Sequence, residues 1–207
     1  IAPLTMTAGT NLTGQGTAGS TEYDGKCFYT TPVTNARGVS PSIMYSIVPA
    51  ANFSLLTTSG VQSCFPTTGD VWTLAANTTY YMNGLYHITH TTTTCTVAMA
   101  FASGGGGSLT SILYCARSHI GALNAAAAVT ASSEQIVSQA STTVVTITST
   151  AAFTIQFEGI IRTNAAGTIT PQINFSAATT APVMVANSYI MLTPLGTDTN
   201  NILGNVA

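Results

Sequence analysis

A chain of 207 residues can hold one large β domain plus an extension. It is 45% hydrophobic and only 5% charged, against roughly 25% in ordinary soluble domains. Its cations (Lys26, Arg37, Arg117 and Arg162) are scattered and the net charge is −2, which leaves no electrostatic footprint for nucleic acid.

No run approaches the ~18 apolar residues of a membrane helix. The strands are mostly too short, and the aromatics too dispersed, for an outer-membrane barrel. No membrane insertion is expected. Thr, Ser, Asn, Gly and Ala replace charge, so a neutral hydroxyl and amide surface is expected, with apolar surface covered between subunits. Ile1 stands where a starting Met would, which suggests a processed chain or a piece of a longer polypeptide.

Residues 1–40 are rich in Gly, Thr and Asn with isolated apolar anchors, so an extended, linker-like segment leaning on neighbours is expected. Within it GKCFYTTP reads as one short strand after an Asp24-Gly25 turn. Residues 41–207 carry strand rhythm. Ile43, Tyr45 and Ile47 alternate before Pro49, and 54–57, 61–65 and 71–74 are short candidates. Residues 78–89 alternate strictly, with Tyr80, Met82, Gly84, Tyr86 and Ile88 on one face.

Strands at 94–102 and 109–116 flank the run Gly104 to Gly107. A hairpin centred on Gly105 would place Cys95, Val97, Met99 and Phe101 opposite Leu109, Ser111, Leu113 and Cys115, with Cys95 and Cys115 adjacent but reduced. Residues 118–133 read as a long loop and are expected to carry partner contact. Strands follow at 134–139 and 143–148.

In 153–177 (FTIQFEGIIRTNAAGTITPQINFSA), Phe153, Ile155, Phe157, Gly159 and Ile161 alternate with Thr154, Gln156, Glu158, Ile160 and Arg162, and Ile169, Pro171, Ile173 and Phe175 alternate with Thr170, Gln172, Asn174 and Ser176. This reads as a hairpin turning near Asn164, with Ile155 opposite Ile173 and both apolar sets on one face. Gly159 implies a bulge or a backbone pressing close, and Pro171 an edge or bulge on its N side. A last strand spans 188–194. About ten strands and almost no helix predict an all-β antiparallel β-sandwich with a jelly-roll-like head over 41–207.

IAPLTMTAGTNLT, AGSTEYDGKCFYTTP and ARGVSP resemble the linker before the C-terminal head of many tailed-phage fibre and virion proteins. TLAANTTYYMNGLYHIT, EGIIRTNAAGTITPQINFSAA and ANSYIMLTPLGTDT resemble the strand motifs of those heads, in the same order along nearly the whole chain. The four cysteines and the GGGG turn depart from that pattern. The resemblance implies a virion structural protein, homotrimeric, with a jelly-roll-like head at the particle surface beside other virion proteins.

The residues themselves point to no enzyme. Cys27, Cys64, Cys95 and Cys115 include no C-x-x-C, so no zinc or redox site is indicated. His87 and His90 point to opposite faces of a strand, and His119 lies in an apparent loop, so no metal site is expected. Glu22, Asp24, Asp70, Glu134, Glu158 and Asp198 form no catalytic pair; Asp70 reads as a turn residue, and Arg162 lies too far along its strand to meet Glu158. GGGGSLT lacks the lysine of a phosphate loop. Asn11, Asn52, Asn77 and Asn174 head N-x-[ST] sequons that arise readily in a Thr/Ser-rich chain. No catalytic, cofactor-binding or metal residue is expected, and no cofactor. Expected instead is a fibre or appendage head touching a host surface receptor or glycan. A capsid decoration (cement) protein is the alternative, and a glycan-degrading spike enzyme a third reading that the scarcity of acids opposes.

Overall fold

The computed structural model describes residues 6, 17–34, 36–40, 45–66, 70–91, 94–120, 132–136, 139–140, 142–147 and 152–199. Among these the chain is all-β, with three antiparallel sheets and no helix. The smallest sheet is the meander β1 (Thr21–Tyr23), β2 (Phe28–Val33) and β3 (Ala36–Val39). A five-stranded sheet contains β6 (Gly60–Ser63), β7 (Trp72–Leu74), β9 (Cys95–Gly104), β12 (Thr142–Ile147) and β14 (Gly167–Phe175). An eight-stranded sheet runs β11 (Ser132–Ile136), β10 (Ser108–Ile120), β13 (Phe153–Ala165) and β8 (Thr78–Thr91). The far edge of β8 is shared by β15 (Thr180–Met184), which pairs β5 (Phe53–Ser54), and by β16 (Tyr189–Thr197), which pairs β4 (Tyr45–Ile47).

The two larger sheets enclose one core, as a β-sandwich requires. The alternating row Tyr80, Met82, Tyr86 and Ile88 of β8 meets Val97, Met99 and Phe101 of β9 and Ile169, Ile173 and Phe175 of β14 in a single buried cluster. Phe153, Ile155, Phe157 and Ile161 close it from β13. Gly159 faces Tyr114 on β10 so closely that a methyl group would collide with the β10 backbone, the close approach that its place in a bulky row implied. Pro171 sits where β7 ends and β6 begins: β14 pairs β7 through Ile169 and β6 from Gln172, and Cys64 donates to the Pro171 carbonyl at 3.4 Å. In an antiparallel ladder a residue's N and O face the same side, so the missing donor of Pro171 falls in that gap.

Neither expected hairpin forms. β13 pairs β10 and β8, whereas β14 pairs β9, β6 and β7, so Ile155 faces Ser118 and Tyr86 rather than Ile173. Likewise β9 and β10 lie in different sheets, and Cys95 and Cys115 are not cross-strand partners: Cys95 faces Ile147, and Cys115 faces Glu158 and Gln135. The segments 95–120 and 153–175 instead run antiparallel to each other along their whole length. Together they form one ribbon that bends from the five-stranded sheet into the eight-stranded one. At the bend, Gly105 and Gly106 both have positive φ (64° and 80°), and Gly107 donates to the Gly104 carbonyl at 3.1 Å in a primed-type turn. Thr168 pairs Gly104 while Ala165 pairs Ser108, so the glycine strand carries one extra residue. That residue reverses which side chains face inward. Ile112, Tyr114, Ala116 and Ser118 point to the core, while Ser111 and Leu113 are exposed and Cys115 is half-buried, the opposite of the expected row.

Within residues 17–40 the strand expected from GKCFYTTP lies in β2, after the Asp24-Gly25 turn. Asp24 Oδ1 accepts from the Lys26 and Cys27 amides at 2.7 Å each, and Oδ2 accepts from Tyr29 Oη at 2.8 Å, closing the β1–β2 turn. Arg37 and Glu22 pair at 2.6 Å, and Cys27, Tyr29 and Thr31 are buried. The expected loop 118–133 is shorter, because Ser118 to Ile120 continue β10 and Ser132 and Ser133 begin β11; 121–131 lie outside the described residues. β16 likewise runs on past Pro194 to Thr197.

Candidate functional site

Each core row of the eight-stranded sheet has an outward complement, and the strand order brings four of these together. Cys115, Glu158, Asn83 and Met191 form one outward row across β10, β13, β8 and β16; Arg117, Gln156, Leu85 and Tyr189 form the next. Between these rows lies a shallow cavity of about 100 Å³ lined by Tyr81, Asn83, Arg117, Gln156, Glu158 and Tyr189, with Cys115 at its side. Tyr81 Oη donates to Glu158 Oε2 at 3.1 Å. Burial raises the Tyr81 phenol above its ordinary value, and the hydrogen bond to Glu158 and the carboxylate charge add to the shift. The Asn83 side-chain oxygen is sealed from solvent and has no partner among the described residues. Arg117, Gln156 and Glu158 are exposed, and the one ion pair among the described residues is Arg37 with Glu22, elsewhere. The cavity therefore offers one cation, one anion, two amides and two tyrosines.

The residues weighed from sequence are dispersed. His87 and His90 do take opposite faces of β8. His87 faces outward, with Nδ1 2.8 Å from Thr154 Oγ1 and its amide donating to Ser188 Oγ at 3.0 Å. Burial lowers its pKa from 6.5, with a smaller contribution from His119 across Thr154. His90 lies inward with its ring 5.9 Å from that of Phe153, and burial lowers its pKa too. Among the described residues no three His, Cys, Asp or Glu side chains converge as metal ligands would. Glu158 and Arg162 do not meet: Arg162 Nη1 donates to the carbonyls of Asp198 (2.6 Å) and Thr199 (2.9 Å). Asp70, read as a turn residue, is buried, and its charge reaches Cys64 inside the core. Cys64 lies beside the Tyr86 hydroxyl, and burial pushes both groups up. None of the four cysteines is joined in a disulfide.

The cavity residues were missed by sequence reasoning, apart from Glu158, which was weighed only as a catalytic acid. Their signal was the polar phase of each alternation: Tyr81 and Asn83 flank Met82, Gln156 and Glu158 flank Phe157, and Tyr189 precedes Ile190. No protein-family model, curated protein or solved structure matches the chain.

Proposed function

We propose that the chain is a virion structural protein: the homotrimeric head of a phage fibre or similar appendage, displayed on the particle surface and touching a host surface. The role is binding, without catalysis or a cofactor. The observation that carries this reading is the combination of few charges with large exposed apolar side chains. Val33 (64% exposed), Leu56 (63%), Val71 (50%) and Val61 (49%) stand out on a chain with 5% charged residues. Such a surface is the kind that assembly covers. The motif resemblance supports the same reading, as does an all-β sandwich with its loops at the rims. Native mass spectrometry of the purified chain tests it first, with a trimer expected; a stable, soluble monomer refutes it. Immunolabelling of particles then places the chain. Label at appendage tips fits a fibre head, and label over the shell reassigns it as a capsid decoration protein.

A further inference from the structure

We propose that the cavity between β10, β13, β8 and β16 is a binding site for one ring of a neutral saccharide, and that this face of the eight-stranded sheet is the recognition face. The inference deepens the binding-module reading and rests on it for its biological setting; its chemistry rests on the cavity alone.

The lining selects among ligand classes. Arg117 and Glu158 both line the cavity from the adjacent strands β10 and β13, so their charges offset and neither an anion nor a cation gains a large net field there. An apolar ligand would cover the exposed Gln156 amide and the remaining acceptor capacity of Glu158 without offering either a partner. A hexopyranose satisfies them. Each hydroxyl both donates and accepts, as do the Asn83 and Gln156 amides, while Glu158 accepts and Arg117 donates. The C–H face of the ring can lie on a tyrosine, whose rigid ring offers apolar area at little entropic cost and a hydroxyl at its edge. Tyr81 is already oriented by its bond to Glu158, which fixes the carboxylate as well. The site also stands on strands rather than on a loop, so its groups are held in place before the ligand arrives.

A cavity of about 100 Å³ admits one ring in part, so affinity for a monosaccharide is weak, with Kd on the order of 1 mM. Useful attachment then comes from several copies engaging together, each added site acting at high effective concentration.

The test uses the full chain and a panel of methyl glycosides of glucose, galactose, mannose and N-acetylglucosamine, titrated by protein-observed NMR. At least one should shift the Arg117, Gln156 and Tyr189 resonances with Kd in the millimolar range. Tyr189→Ala and Gln156→Ala should each weaken that binding by about tenfold or more, and Tyr189→Phe, which keeps the ring, by less. Unchanged melting temperature and near-ultraviolet circular dichroism show that each variant is folded. If a variant fails to fold, Arg117→Ala at the exposed rim replaces it. A panel that shifts nothing overturns the proposal, as does equal binding by wild type and folded variants. Attachment of the chain to host cells separates the two readings. Wild type and sugar-blind variants attaching alike overturns the cavity's role and leaves the binding module standing. Wild type that binds sugar but attaches to no host cell overturns the fibre-head reading and keeps the site.

Discussion

Gly84→Ala is a one-carbon test of how β8 and β13 pack. Gly84 pairs Phe157 on one side and Ile190 on the other, and a Cβ built there overlaps the Phe157 ring and lies 2.8 Å from the Tyr189 carbonyl. The ring cannot simply swing away, because Phe157 is 2% exposed and its centroid lies 4.9 Å from that of Tyr86, edge to face at 69°. Overpacking a filled core costs about 1–3 kcal/mol, and disturbing the aromatic pair adds about 0.5–1.5. Gly84 has no positive φ, so alanine brings no backbone strain and even gains about 0.5 kcal/mol of strand preference over glycine. The net expectation is a loss of about 2–3 kcal/mol, a fall in melting temperature of about 4–12 °C for a chain of this size. A second substitution identifies the cause. Phe157→Leu alone leaves a cavity, but in the double variant the new methyl fills part of it. The pair should therefore be less destabilised than the sum of the singles by about 1 kcal/mol or more. Urea unfolding of the four proteins measures this. Gly84→Ala melting at or above wild type, or strictly additive variants, would show that Phe157 does not lie over Gly84 and that the β8–β13 register is wrong.

Asp24→Ala should release the β1–β2 turn, because it leaves two amides and the Tyr29 hydroxyl without their acceptor. About 2 kcal/mol is expected, read as faster amide exchange in residues 21–33 with the sandwich unaffected. The histidines predict acid sensitivity. His87 and His90 have folded pKa values below 6.5, so their stability is fully present above about pH 6.5 and is lost as pH falls from there through the folded values. Each contributes a slope of at most about 1.4 kcal/mol per pH unit, and His90→Leu should flatten the urea midpoint between about pH 7 and pH 5. At the alkaline end, burial and then the Asp24 charge raise the Cys27 thiol to about 11, only partly offset by Lys26. Its stabilisation therefore holds below about pH 9 and is lost through about pH 11, an effect that Cys27→Ala removes. In the native protein a thiol reagent should label Cys115 first, with Cys27, Cys64 and Cys95 protected by burial. Rapid labelling of all four would contradict the packing of both the small sheet and the core.

Period-two alternation reports which face of a strand is buried and says nothing of which strand lies beside it. That is why Tyr80, Met82, Tyr86 and Ile88, or Ile169, Ile173 and Phe175, were legible as core while the two hairpins drawn from them were not. A run such as Ile160 to Thr168 looks the same whether the chain doubles back or bends into the opposite sheet. The exchange of partners is decided by contacts far apart in sequence, such as Ser118 with Ile155 and Pro171 with Phe101. The one failure of facing, in β10, has a local cause. Four glycines carry no side chain to mark phase, so the extra residue between Gly104 and Ser108 is invisible in the pattern.

The cavity follows the same logic. Tyr81, Asn83, Gln156 and Glu158 were legible as outward-facing, because each sits one place from a core residue, whereas Arg117 and Cys115 were not, because the extra residue at the glycine turn reverses the phase of β10. Their meeting depends on the order β10, β13, β8, β16, in which only β10 donates a cation and only β13 a carboxylate. A change of strand order would leave the core composition untouched and scatter Arg117, Glu158 and Tyr189 over separate surfaces. Recognition on such a fold is a property of topology, and it can be altered on the outer face without disturbing the core. The two phases of one alternation separate them: Gln156→Ala should leave the unfolding free energy within about 0.5 kcal/mol of wild type, whereas Ile155→Ala, one residue away and fully buried, should cost about 2–5 kcal/mol.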